Sequence, residues 1–230
     1  MRSFVFASLM SLSDPLHACE VALMLAVDVS GSVDLNEYRI QMDGLAAGLR
    51  DPSVSAAVGG GQSKLALMQW TGTSRQQVVI GWTAITDETD LLAFATEVAA
   101  TPRLWRNYST AIGEALALSL PYFAQVPECE RRVIDVSGDG PSNEGRLPQS
   151  VWPELQAAGV TVNALAIEAS LPGLTTYFES NVITGPGAFA ATANTYDDYP
   201  EEIARKLLRE LTKSLAALNP QASEYVITDF

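Results

Sequence analysis

At 230 residues, 47% hydrophobic and 18% charged, the chain is long enough for one α/β domain with a full core and too short for two, and its composition excludes a disordered polymer. A formal net charge of −13 argues against binding to a phosphate backbone, which needs clustered Lys and Arg. The single histidine, His17, falls in a stretch read below as a cleaved leader, so the mature domain is expected to hold none; that excludes a Ser-His-Asp triad, a Cys-His pair and histidine-ligated zinc.

Residues 1–18 have the order of a signal peptide: Arg2, an apolar run over 4–12, the breaker Asp14-Pro15, then small Ala18 before Cys19. The chain is therefore expected to be exported, to a periplasm or an extracellular space. Leu16-His17-Ala18-Cys19 also resembles a lipidation box, which makes a lipid anchor on Cys19 the alternative. No later stretch reaches the ~18 apolar residues of a membrane span.

The run 21–27 is short, continuous and apolar, and ends at Asp28; it reads as a strand buried on both faces. Residues 35–49 follow with helical spacing, and Asp34 is placed to cap them. After the Gly59-Gly60-Gly61 breaker, strands are predicted over 64–70 and 77–82. The 71–74 connection is too short for a crossover helix, so these two pair as an antiparallel hairpin. Helices are predicted over 87–100 and from Ser109 or Thr110 onward, the latter interrupted at Pro121. A strand over 132–136, a helix over 148–158, strands over 160–167 and 187–193 and a closing helix over 199–218 complete the domain. The fold class that follows is α/β: a doubly wound, mostly parallel, Rossmann-like sheet with one antiparallel edge strand and helices on both faces. The domain is expected to occupy residues 19–218, with a tail over 219–230.

Cys19 and Cys129 each precede a strongly apolar strand. If those strands are parallel neighbours, both cysteines lie at one edge of the sheet, ~5–6 Å apart in Cα, and can form a disulfide. Two free buried thiols are the alternative. Trp70, Trp82 and Trp105 read either as a recognition surface or as packing at strand ends.

Directly after the first strand stands Asp28-Val29-Ser30-Gly31-Ser32. Oxygens at alternate positions can converge where a strand turns into a loop, and hard oxygen donors suit Mg²⁺, Mn²⁺ or Ca²⁺. A serine before a helix is equally a cap. Two further loops add oxygens: Ser137-Gly138-Asp139-Gly140 ends the fourth strand, and Tyr108-Ser109-Thr110 opens a helix. In a doubly wound sheet these loops meet where the strand order reverses.

Together these residues resemble the metal-ion-dependent adhesion site of von Willebrand factor A domains. The family's pattern falls on Asp28, Ser30, Ser32, Thr110 and Asp139. The string Val133-Ile134-Asp135-Val136-Ser137-Gly138-Asp139-Gly140-Pro141 is similar to a bacterial exported branch of that superfamily, and the resemblance covers roughly residues 20–212. It implies a divalent cation, Mg²⁺ or else Mn²⁺ or Ca²⁺, held mainly by hydroxyls, with a partner's Asp or Glu filling an open coordination position. It implies a protein-binding module; no catalytic residues are expected, because the mature domain lacks histidine and offers no nucleophile with an adjacent base. Tyr108 and Ser109 depart from the small residues that relatives carry before the Thr: Tyr108 narrows the site, stacks on a partner or packs on the sheet, and Ser109 replaces Thr110 if the register differs by one. Asp135, inside a strand, is either a support that orients a ligand or a satisfied core acid.

Two other functions stay open: a metal-dependent hydrolase or phosphatase, and a structural domain stabilised by its metal. A dinucleotide site is excluded, because Asp28 stands where pyrophosphate would sit. The oligomeric state is not legible.

Overall fold

A computed structural model describes residues 19–58 and 62–212. The expected leader, the triple-glycine breaker, the end of the closing helix and the tail lie outside the described residues.

Six strands form one sheet: β1 (Val21–Asp28), β2 (Ser63–Trp70), β3 (Gln76–Ile85), β4 (Arg131–Gly138), β5 (Val160–Ile167) and β6 (Ala190–Ala193). Their order is β3-β2-β1-β4-β5-β6, and only the β2–β3 pair is antiparallel. Around the sheet pack α1 (Leu35–Leu49), α2 (Pro52–Val58), α3 (Glu88–Ala100), α4 (Ile112–Phe123), α5 (Trp152–Ala157), α6 (Leu174–Asn181) and α7 (Tyr199–Leu211). The expected α/β class and antiparallel edge are present, and β1 lies inside the sheet between β2 and β4.

Strand pleating divides β1 between two cores, since successive side chains face opposite sides of a sheet. Val21, Leu23, Leu25 and Val27 pack with Met42 of α1, Phe94 of α3 and Leu207 of α7. Ala22, Met24 and Ala26 pack with Leu116 of α4, Leu155 of α5 and Phe178 of α6. With both faces covered, all eight residues of β1 are buried, which is why the strand reads as an unbroken apolar run.

Asp34 caps α1 as anticipated, and Glu37 completes a capping box: Glu37 N donates to Asp34 Oδ1 at 2.8 Å, and Asp34 N to Glu37 Oε2 at 2.6 Å. Helix α4 begins later than predicted. Thr110 N is held by Asn143 Oδ1 at 2.9 Å and Ala111 N by Thr71 O at 3.0 Å, contacts that keep this segment out of the helix. Pro121 does not interrupt α4, because it sits in the last turn, where its ring removes a single N–H. Residues 148–158 divide into a 3₁₀ turn, Pro148–Val151, and α5. Strand β6 is shorter than predicted, since Phe189 N turns to Asn163 Oδ1 at 3.2 Å. Trp70 is fully buried, and Trp82 packs on Phe123 and donates to Tyr122 O at 2.9 Å. Trp105 packs against the core, so the three indoles serve packing.

Cys19 and Cys129 are disulfide-bonded, 4.3 Å apart in Cα, and both are buried; that bond closes a loop of 110 residues across the β1–β4 edge. In the unfolded chain it removes the closure entropy of that loop, so Cys129→Ser is expected to cost about 3–5 kcal/mol, read as a lower guanidinium midpoint with a steeper slope from the released unfolded chain. A midpoint that does not change would show the bond to be stabilising nothing.

Candidate metal centre

Strands β1, β2 and β4 are in register at their carboxyl ends, where Asp28 stands beside Trp70 and Val27 beside Ser137. The Asp28 side chain is fully buried. Ser30 N donates to its Oδ1 at 2.7 Å, while its Oδ2 has no hydrogen-bond partner. Ser30 Oγ lies 3.2 Å from Ser32 Oγ, and Ser32 Oγ donates to Asp139 Oδ1 at 2.6 Å. The hydroxyl of Tyr196 donates to Asp139 Oδ2 at 3.0 Å. Four of the five residues singled out thus form one hydrogen-bonded cluster.

The fifth, Thr110, is buried, and its Oγ1 lies 4.0 Å from where a Cβ on Gly140 would stand, next to Asp139. Ser109 is exposed, and its carbonyl accepts from Thr71 Oγ1 at 2.9 Å. The loop therefore turns Thr110 inward and leaves Ser109 outside. Tyr108 is also exposed, with the Arg75 guanidinium 3.8 Å above its ring; it neither fills the core nor covers the cluster from within.

Two glycines allow this closeness. Gly31 N donates to Tyr108 O at 2.8 Å, and a Cβ on Gly31 would stand 3.2 Å from that oxygen. A Cβ on Gly138 would stand 3.0 Å from Asp28 Oδ2, in the space that faces the unpartnered oxygen.

Arg103, which carries no sequence signal, clamps the first loop. Its Nη2 donates to Val29 O at 2.9 Å and Ser30 O at 2.8 Å, and its Nη1 to Asp34 O at 3.2 Å. Gln69 anchors the segment that carries it, donating to Pro102 O at 2.9 Å and accepting from Leu104 N at 2.9 Å. Tyr196 and Asn143 were likewise invisible as site residues, because each arrives from a distant loop.

Burial, then the neighbouring Asp139, push the Asp28 carboxyl up to about 8, against the hydrogen bonds from Ser30 and the charge of Arg103. Two adjacent acids, one with a bare buried oxygen, favour a positive charge between them. No group of three or more His, Cys, Asp or Glu gathers among the described residues, so a cation here draws on hydroxyls as well. Two carboxylates and three hydroxyls are hard oxygen donors, which fits Mg²⁺, Mn²⁺ or Ca²⁺.

Asp135 does not support this cluster. It faces α7, where its Oδ1 lies 2.5 Å from Lys206 Nζ, and Lys206 Nζ also donates to Glu210 Oε1 at 2.6 Å. Asn163 Nδ2 donates to the same Glu210 oxygen at 2.8 Å. Neither expected role describes it: Asp135 is a buried acid whose charge meets Lys206, and neither of its oxygens accepts a hydrogen bond.

Residues 18–215 match the family model described as protein of unknown function (DUF1194). The chain belongs to that family. No curated protein is similar to it. Among solved structures, proximal thread matrix protein 1 from the mussel byssus superposes with a TM-score of 0.64 at 20% identity, covering 84% of this chain and 48% of the other. The von Willebrand factor type A protein from Catenulispora acidiphila gives 0.60 at 17%, covering 85% and 44%. The pilus adhesin SpaC from Lactobacillus rhamnosus GG gives 0.60 at 14%, covering 84% and 31%. This member of the family has the von Willebrand factor A fold, and it spans less than half the length of these proteins.

Proposed function

We propose that this domain binds a protein partner through a divalent cation held by Asp28, Ser30, Ser32, Thr110 and Asp139, with an Asp or Glu of the partner completing the coordination. The observation that carries this reading is the buried Asp28 carboxylate, with Oδ2 unpartnered and Asp139 beside it. A buried bare oxygen of this kind costs free energy unless a cation or proton meets it. When bound, the cation supplies a positive charge that attracts the incoming carboxylate. The protein supplies a preformed cradle: Arg103 fixes the first loop, and Asn143 fixes Thr110.

The surrounding surface supports a macromolecular partner. Among the large apolar side chains exposed in the described residues, Leu35, Leu104, Tyr108, Leu147 and Leu171 stand on loops or helix starts at this edge of the sheet, and only Leu92 stands elsewhere. Exposed apolar side chains on the loops that surround the cluster favour a macromolecular partner over a small ion alone. A mussel byssus structure of this fold has a zinc-occupied MIDAS motif, which supports a divalent cation, and another structure of this fold is a pilus adhesin, which supports a binding role. Export is supported by the Cys19–Cys129 disulfide.

Thermal unfolding with MgCl₂, MnCl₂ or CaCl₂ against EDTA tests the reading. A cation at a hundred times its Kd is expected to stabilise the native chain by about 2.7 kcal/mol and to leave Asp28→Ala unaffected. If none of the three ions moves the midpoint, the proposal fails.

A further inference from the structure

The two acids of the cluster differ in what they have left to offer. Both oxygens of Asp139 are already engaged, Oδ1 by Ser32 Oγ at 2.6 Å and Oδ2 by the Tyr196 hydroxyl at 3.0 Å. Asp28 accepts on Oδ1 alone, and its Oδ2 is buried and unpartnered. Tyr196 follows β6 and precedes α7; it is 6% exposed, and its ring packs in the core shared with α1 and α7. Phenylalanine would pack there equally well. The hydroxyl therefore answers to Asp139, the group it touches.

We propose that Tyr196 is a positioning residue that holds and weakens Asp139, so that Asp28 is the stronger of the two carboxylates toward the cation while Asp139 also orients the Ser32 hydroxyl. The proposal rests on the cation-site reading above and adds a division of labour that the family match does not assign. A charge-assisted hydrogen bond fixes the plane of the carboxylate and draws electron density from the oxygen that accepts it. Each oxygen keeps a second lone pair for the ion, but an oxygen that already accepts from Tyr196 donates less to it. A cation met by one full and one weakened carboxylate keeps more charge for the carboxylate of a partner. Tyr196 thus trades cation affinity for attraction toward that partner.

The test is Tyr196→Phe in the full chain, titrated with MgCl₂ and with MnCl₂ by calorimetry. Releasing Asp139 is expected to tighten Mg²⁺ binding about three- to tenfold, the scale of one such hydrogen bond. Solvent-proton relaxation by bound Mn²⁺ is expected to fall as Asp139 takes a place held by water. The midpoint in EDTA reports packing separately, and a purely structural tyrosine moves that midpoint while leaving the affinity alone. Unchanged or weaker Mg²⁺ binding by the variant overturns the role of Tyr196. A native chain that binds neither of these ions nor Ca²⁺ fails the underlying cation site, and this inference with it.

Discussion

Lys206→Met is expected to destabilise the protein by about 3–5 kcal/mol, because it leaves two buried carboxylates facing each other with no cation between them. Lys206 Nζ lies 2.5 Å from Asp135 Oδ1 on β4 and 2.6 Å from Glu210 Oε1 on α7, with its side chain fully enclosed. Burial, then Asp135, hold the Glu210 carboxyl up to about 7, against the pull of Lys206 and Asn163. A carboxyl raised in the folded state takes up protons that the unfolded chain releases, so its contribution to stability falls as pH rises from about 4.5 to about 7. Without Lys206 that contribution becomes more unfavourable. The deficit of the variant is therefore expected to be larger at pH 8 than at pH 5, in guanidinium unfolding at both. A loss below about 1 kcal/mol at pH 8 would mean that Lys206 is not compensating buried charge.

That cluster also shows where the sequence stops being legible. Asp135 sits within the otherwise apolar stretch 133–136 of β4, and nothing local indicates that its partners come from α7. The parts that could be read share a cause: local pattern decides them. β1 is covered on both faces and so is continuously apolar; the β2–β3 connection is too short to cross over; Asp34 stands one residue before a helical repeat. Asp28, Ser30, Ser32 and Asp139 are legible because a strand end followed by a tight loop sets where they project. Arg103, Asn143 and Tyr196 are not, since their roles depend on loops that meet only in the folded chain. The choice between Ser109 and Thr110 was open for the same reason. It depends on Asn143 and Thr71 holding that segment in place. The short helices α2 and α6 have too few turns for a 3.6-residue period to stand out.

Stabilisation by Mg²⁺ is expected to grow steeply with pH between about 5 and about 8, and Asp28→Asn is expected to abolish it. Asp28 has an ordinary value of 3.8 and a folded value of about 8, set by burial first and Asp139 second. Between those values the cation-free folded protein keeps a proton that the unfolded chain has lost, so this group makes it less stable as pH rises. A cation takes the place of that proton. Its apparent affinity gains up to about tenfold per pH unit across the window and levels off above it. Near pH 5 the proton and the cation compete and the response to Mg²⁺ is small; at pH 8 it is near its maximum. Asparagine carries no such charge. The cation-free Asp28→Asn protein is therefore expected to match the native chain near pH 4 and to exceed its stability progressively above that, by up to about 1.4 kcal/mol per pH unit until about pH 8, in EDTA. Calorimetric unfolding across this range, with Mg²⁺ and with EDTA, measures both effects. A Mg²⁺ response that is flat with pH, or that survives Asp28→Asn, would remove Asp28 from the site and leave its bare oxygen in need of another explanation.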